Sequence, residues 1–124
     1  MIAVLRAVVG IAGLLGLLVA ARMWMAPEGT AAQLGVVASG PLGLATIRAD
    51  MGGFFAAGGV FGLMAAIKGR GSLLLPTVVL IGFALTGRLL AVAMNGFAPE
   101  MGPPMAIEAV LLVLFMVGWK WLPR

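Results

Sequence analysis

The sequence predicts an all-α fold: an integral membrane four-helix bundle with both termini cytoplasmic. Three observations predict it. The chain of 124 residues is 63% hydrophobic and only 10% charged, with a mean hydropathy of +1.19, whereas a soluble domain carries about 25% charged residues. Four apolar stretches approach or exceed the roughly 20 residues that cross a hydrocarbon core. The charges between these stretches segregate by sign. Polar surface is too scarce to cover a water-facing globule, so lipid is the natural solvent. The length suits a single domain, residues 1–124.

The first stretch runs from about Ile2 to Met25 and stops before Pro27. Val19-Ala20-Ala21 resembles a signal-peptide cleavage site, but the apolar run exceeds the usual length of about 7–15 residues. It is therefore read as a span. The second stretch extends from Leu42, or from Ile47 on a narrower reading, to Ile67, and Pro41 can start it early. Lys68-Gly69-Arg70-Gly71 ends it. The third, Leu73–Asn95, has Ser72 as a candidate N-cap and Pro76 in its first turns. The fourth, Met105–Leu122, follows Pro103-Pro104. In the first long loop, Thr30-Ala31-Ala32-Gln33 fits a capping box ahead of Leu34, Val36 and Val37. A short helix on the outer membrane surface is expected there.

Arg6, Lys68, Arg70, Lys120 and Arg124 share one side of these spans with no acid among them. The loops 26–41 and 96–104 hold Glu28 and Glu100 and no Lys or Arg. The positive-inside rule then sets the termini in the cytoplasm, in a bacterial inner (cytoplasmic) membrane. Trp119 and Trp121 flank Lys120 as an interfacial anchor. The net charge of +4 thus reports topology and gives no reason to expect a nucleic-acid partner.

Cysteine and histidine are absent, which excludes disulfides, thiol nucleophiles, Cys/His zinc sites and His-ligated haem. No cofactor or metal is expected. Met23, Met25, Met51, Met94, Met101 and Met105 map towards the outer side. Thioethers favour Cu(I), so copper handling is a lesser alternative to their role as apolar filler.

The charges inside the spans are the main functional signal. At 1.5 Å per residue, Arg88 lies roughly 22 Å beyond Leu73, Asp50 roughly 27 Å beyond Lys68, and Glu108 roughly 6 Å inside Pro104. Arg22 and Arg48 fall near the same level, so each helix contributes to one outer layer. Isolated charges at such depths are costly, by about 2.5–3.5 kcal/mol at midplane and less towards an interface. Arg88 is the deepest Arg and should pair with Asp50 or Glu108, and Asn95 lies on its helical face to extend a network. Three Arg against two acids leave one positive charge for a lipid headgroup, a quinone-like molecule or a partner's carboxylate. The same layer serves equally as a lock on helix register.

Bundle cohesion in lipid requires close packing and polar contacts. Ala49, Gly53 and Ala57 recur every four residues, as do Gly58 and Gly62, and Gly10, Gly13 and Gly16 thin the first span. Packing within the bundle is the expected use of these glycines, with a homo-oligomer interface as the alternative.

The run Arg48-Ala49-Asp50-Met51-Gly52-Gly53, followed by Arg88, Asn95-Gly96 and Glu108, resembles a family of small bacterial four-span membrane proteins classified only as a domain of unknown function. The resemblance covers most of the chain and implies fold and location, without an activity. Asn95-Gly96 stands where that family has Asp-Gly.

The expected function is non-catalytic: scaffolding, or binding a membrane lipid or partner, for example as an accessory subunit of a larger inner-membrane complex. The alternative is a small carrier or channel for an anionic or amphipathic solute. An enzyme acting on lipid or isoprenoid through Asp50 and Glu108 is a lesser alternative.

Overall fold

The computed structural model describes all of residues 1–124. Helix α1 (Ile2–Met25) is followed by a one-and-a-half-turn helix α2 (Pro27–Ala32). Helix α3 (Gly40–Thr46) runs through a π-helical turn (Ile47–Met51) directly into α4 (Gly52–Lys68). A 3-10 turn (Gly71–Leu74) leads into α5 (Leu75–Asn95), and another (Pro99–Met101) leads into α6 (Gly102–Trp121). There are no strands. Four of the helical segments are long and apolar enough to cross a membrane: Ile2–Met25, Gly40–Lys68, Gly71–Asn95 and Pro99–Trp121.

Local chemistry explains most boundaries. Pro27, Pro41, Pro76 and Pro103 all sit in the first turn of their helices, where a missing N–H breaks no bond. Pro41 starts the second long segment at Gly40, the longer of the two expected ranges. Gly69 ends α4 in the left-handed conformation, with φ +65°. Ser72 is not an N-cap: it lies inside the 3-10 turn, and no side chain caps that turn or α5. Thr30 likewise does not cap a helix in the first loop. It sits within α2, a turn earlier than expected, and its hydroxyl bonds back to the carbonyls of Ala26 (2.7 Å) and Arg22 (3.2 Å). Pro27 starts this helix at the bend after α1, so the turn forms before Leu34 is reached.

The helices associate as two pairs. In α1 and α4 the backbones nearly touch. A Cβ added to Gly13 would lie 2.6 Å from the Leu63 amide nitrogen, and one added to Gly59 would lie 2.6 Å from the Gly13 carbonyl oxygen. Such approach is open only to glycine, and it replaces the hydrophobic driving force that lipid removes. Helices α5 and α6 form the second pair.

The pairs join at the end of the bundle that holds both termini, called here the basic end. Val9, Ala65, Leu74, Ile81, Phe115 and Leu122 make one core there. A Cβ on Gly71 would meet the carbonyls of Gly118 and Trp119 at 2.8 Å, and the Gly71 N–H donates to the Pro123 carbonyl at 2.7 Å. Arg6 donates from Nε to the Ala66 carbonyl (2.8 Å) and from Nη2 to the Ile67 carbonyl (2.9 Å). It thereby satisfies the open C-terminus of α4 with a cation at the negative end of the helix dipole. Farther along, Thr77 donates to the Gly58 carbonyl at 2.9 Å, linking α5 to α4.

Only 19 of the 124 residues are buried, and large apolar side chains such as Val4, Ile11, Phe83 and Val110 are 60–73% exposed. Contiguous apolar surface on that scale suits lipid rather than water.

Candidate functional site

At the opposite, far end the two pairs separate and leave a half-open cavity of about 650 Å³. That volume lies within the range of about 300–1,000 Å³ usual for small-molecule sites. It opens because the glycine contacts of α1 are spent on α4, while the contacts between pairs lie towards the basic end. Phe115, whose ring lies against Gly62, and Thr77, bonded to Gly58, form the floor. The walls are apolar: Leu15 and Val19 of α1, Phe54 and Phe55 of α4, Leu80 and Ile81 of α5, and Ile107 and Leu111 of α6. Polar groups appear towards the mouth, where Arg22, Gln33, Arg88, Glu100 and Glu108 line it.

Of the two acids offered to Arg88 by the sequence, the fold selects Glu108. Arg88 Nε donates to Glu108 Oε1 at 2.6 Å, and the side chains are 33% and 16% exposed. This is the only salt bridge in the chain. It ties α5 to α6 at a level where little else holds that pair to the rest of the bundle.

The charge layer does not form one network. Arg22 lines the cavity without a counter-ion. Arg48 belongs to a separate corner: its Nε donates to the Trp24 carbonyl at 2.9 Å, and the Trp24 indole Nε1 donates to the Arg48 carbonyl at 3.0 Å. The π turn displaces the backbone there, and Gly52 makes room, since a Cβ at that position would collide with the indole. This reciprocal clasp seals the far ends of α1 and α4. Asp50 is exposed, lies outside the cavity and has no side-chain partner. Asn95 is exposed at the end of α5, with no side-chain hydrogen bond to extend the Arg88 pair. Because Asp50 and Glu108 do not face a common cavity, the geometry offers no support for paired acid–base chemistry between them.

The glycines also divide. Gly62 packs on Gly13 and Phe115, as the spacing suggested, whereas Gly58 meets only the Thr77 methyl at 3.8 Å and Gly53 has nothing within 4 Å. The helix contact instead runs through Gly59 and Gly62 of α4 against Gly13 and Gly16 of α1. On α4, Gly59 and Gly52 are the positions sequence reasoning missed. Their signal was the i, i+3 and i, i+7 spacing from Gly59 to Gly62 and to Gly52, which an every-fourth-residue pattern passes over.

Four of the methionines have packing or exposure that sets them apart from a common site, and Met23 and Met51 share one apolar cluster. Met23 is fully buried with Ala31 and Ile47, and Met51 packs on that cluster. Met25 and Met94 are 84% and 80% exposed. The Met101 sulfur accepts a hydrogen bond from the Ala98 N–H at 3.2 Å.

No protein-family profile, curated protein or solved structure matches the chain.

Proposed function

We propose that this chain is a non-catalytic membrane protein that holds one amphipathic membrane molecule in the cavity between its two helix pairs. The observation that carries the proposal is the polarity gradient of that cavity. Its floor and walls are apolar, and its ionic groups, Arg22, Arg88, Glu100 and Glu108, gather at the far end. An amphipath satisfies both parts at once, with its chain between the pairs and its polar head at the mouth.

The positive-inside rule orients the basic end towards the cytoplasm and the mouth towards the outer leaflet of a bacterial inner membrane. On this reading α2 lies at the outer surface. The core of Val9, Leu74, Phe115 and Leu122 closes the floor, which favours a one-sided binding site over a carrier pathway.

The test is lipid analysis of the protein purified in mild detergent. Wild type should carry lipid in fixed stoichiometry. Leu80→Trp, which fills the cavity from α5, should lose it while keeping its thermal unfolding transition. Equal lipid content in the two proteins would sink the proposal.

A second reading, an accessory subunit of a larger complex or a homo-oligomer, is favoured by a different observation. Gly53 has open space beside it and Asp50 has no partner, leaving a small-residue surface and a free carboxylate outside the cavity. Cross-linking in native membranes from Cys introduced at Gly53 tests it, with a discrete adduct as the expected result.

A further inference from the structure

The mouth of the cavity is charge-balanced but only half paired. Arg22 and Arg88 line it together with Glu100 and Glu108. Arg88 and Glu108 neutralise one another through a single Nε–Oε1 contact. That contact leaves both Nη groups of Arg88 free to donate and the second oxygen of Glu108 free to accept. The remaining two charges have no protein counter-ion. Arg22 belongs to α1 and Glu100 to the turn that begins the α6 segment, so they stand on opposite helix pairs, across the opening.

Resting on the amphipath-binding reading above, we infer that the mouth recognises a zwitterionic lipid headgroup carrying a phosphate and a primary amine, of the phosphoethanolamine type. The phosphate sits at Arg22 and the free Nη groups of Arg88, where guanidinium forks suit its oxygens. The ammonium sits at Glu100 and the free oxygen of Glu108, giving each carboxylate an N–H donor.

Two features of the mouth separate this headgroup from its relatives. An anionic headgroup without an amine would satisfy Arg22 but place its charge beside two carboxylates and leave Glu100 unpaired. A quaternary ammonium has no N–H to donate and is typically held by an aromatic cage. Phe55 packs against the far-end cluster of Met23, Ala31 and Ile47, so an aromatic face reaches the mouth, and the choice of a primary amine rests on the carboxylates of Glu100 and Glu108, which accept from an N–H.

The experiment uses the full-length protein in vesicles of equal parts phosphatidylethanolamine, phosphatidylcholine and phosphatidylglycerol with identical acyl chains, followed by native mass spectrometry of the extracted protein. Wild type should retain phosphatidylethanolamine over each of the others by about tenfold, the scale of one charge-assisted contact. Glu100→Gln, exposed and in no ion pair, should erase that preference or turn it towards phosphatidylglycerol. Arg22→Gln should weaken retention of all three phospholipids. Soluble glycerophosphoethanolamine in excess should not displace the bound lipid, because the chains supply most of the contact, and displacement would overturn the choice of a lipid over a free headgroup. Equal retention of the three headgroups by wild type, all lost in Leu80→Trp, would overturn the headgroup inference and leave the chain-binding cavity standing. No retention of any lipid would overturn both.

Discussion

At the basic end of the bundle the helices are stitched by close contacts made at the backbone. Gly71 sits against the carbonyls of α6, Gly118 lies under Leu74, and Arg6 closes the end of α4. At the far end the two helix pairs part, and one ion pair, one indole–arginine clasp and a small apolar cluster around Met23 do the holding within them. The composition is similarly apolar at both ends, so hydrophobicity does not account for the difference. In lipid, cohesion follows the approach of backbones and the satisfaction of polar groups. The basic end is built from both. The far end has polar contacts without close approach between the pairs, and it is there that the cavity opens.

The strongest way to break this contrast is at the α1–α4 contact. Gly59→Leu should abolish recovery of monodisperse, folded protein, because the added side chain meets the Gly13 carbonyl and the Leu17 amide, which cannot rotate away. Overpacking elsewhere typically costs about 1–3 kcal/mol, and here it adds to loss of the interface. Gly53→Leu on the same helix should fold normally, since nothing lies within 4 Å of that position. Size-exclusion profiles and thermal unfolding in detergent check the pair.

A gentler comparison sets the two ends against each other directly. Gly71→Ala at the basic end should destabilise by about 1–3 kcal/mol through contact with the carbonyls of Gly118, Trp119 and Leu122. Gly87→Ala, in the far half of α5 with open space around it, should be neutral or stabilising by up to about 1 kcal/mol, as removal of a helical glycine allows. Equal effects from the two would show that the ends do not differ in packing.

The ion pair should respond asymmetrically to single and double substitution. Arg88→Met alone leaves Glu108 charged without its partner. Its cost should fall below the about 3–5 kcal/mol of a fully buried pair, because the pair stands at the mouth of the cavity, towards an interface where a lone charge costs less. Arg88→Met combined with Glu108→Leu should recover most of the loss, measured as unfolding temperature. A double variant no better than the single would mean that the pair fixes register beyond its own charge balance. Thr77→Val should cost about 0.6–1 kcal/mol, the usual size of an interhelical hydrogen bond in membranes.

The first-order architecture was legible because it depends on composition and spacing alone. Four apolar runs, prolines at the starts of the last three and Lys68-Gly69-Arg70 as a turn are one-dimensional facts with direct structural consequences. The distance of each charge along its own helix was legible too, since rise per residue is constant. Partner choice was not. Asp50 and Glu108 lie at similar depth, and only the rotation of each helix about its axis decides that Glu108 meets Arg88 while Asp50 points elsewhere. Arg6 read as a topological charge, and its bonds to the end of α4 emerge only when α1 and α4 are set side by side.

The glycines make the same division. Helix α4 has Gly52, Gly53, Gly58, Gly59 and Gly62 distributed around its circumference, so spacing shows that several faces are thin without showing which one a neighbour occupies. By itself the sequence determined the helices, their apolar character and the gathering of Arg6, Lys68, Arg70, Lys120 and Arg124 at one end, because these follow from local chemistry and from the solvent such a composition requires. Tertiary structure decided which glycine face meets α1, which acid pairs with Arg88, and that the two pairs part at the far end to leave a cavity. Those are properties of relative helix rotation and separation, and neither has a one-dimensional signature.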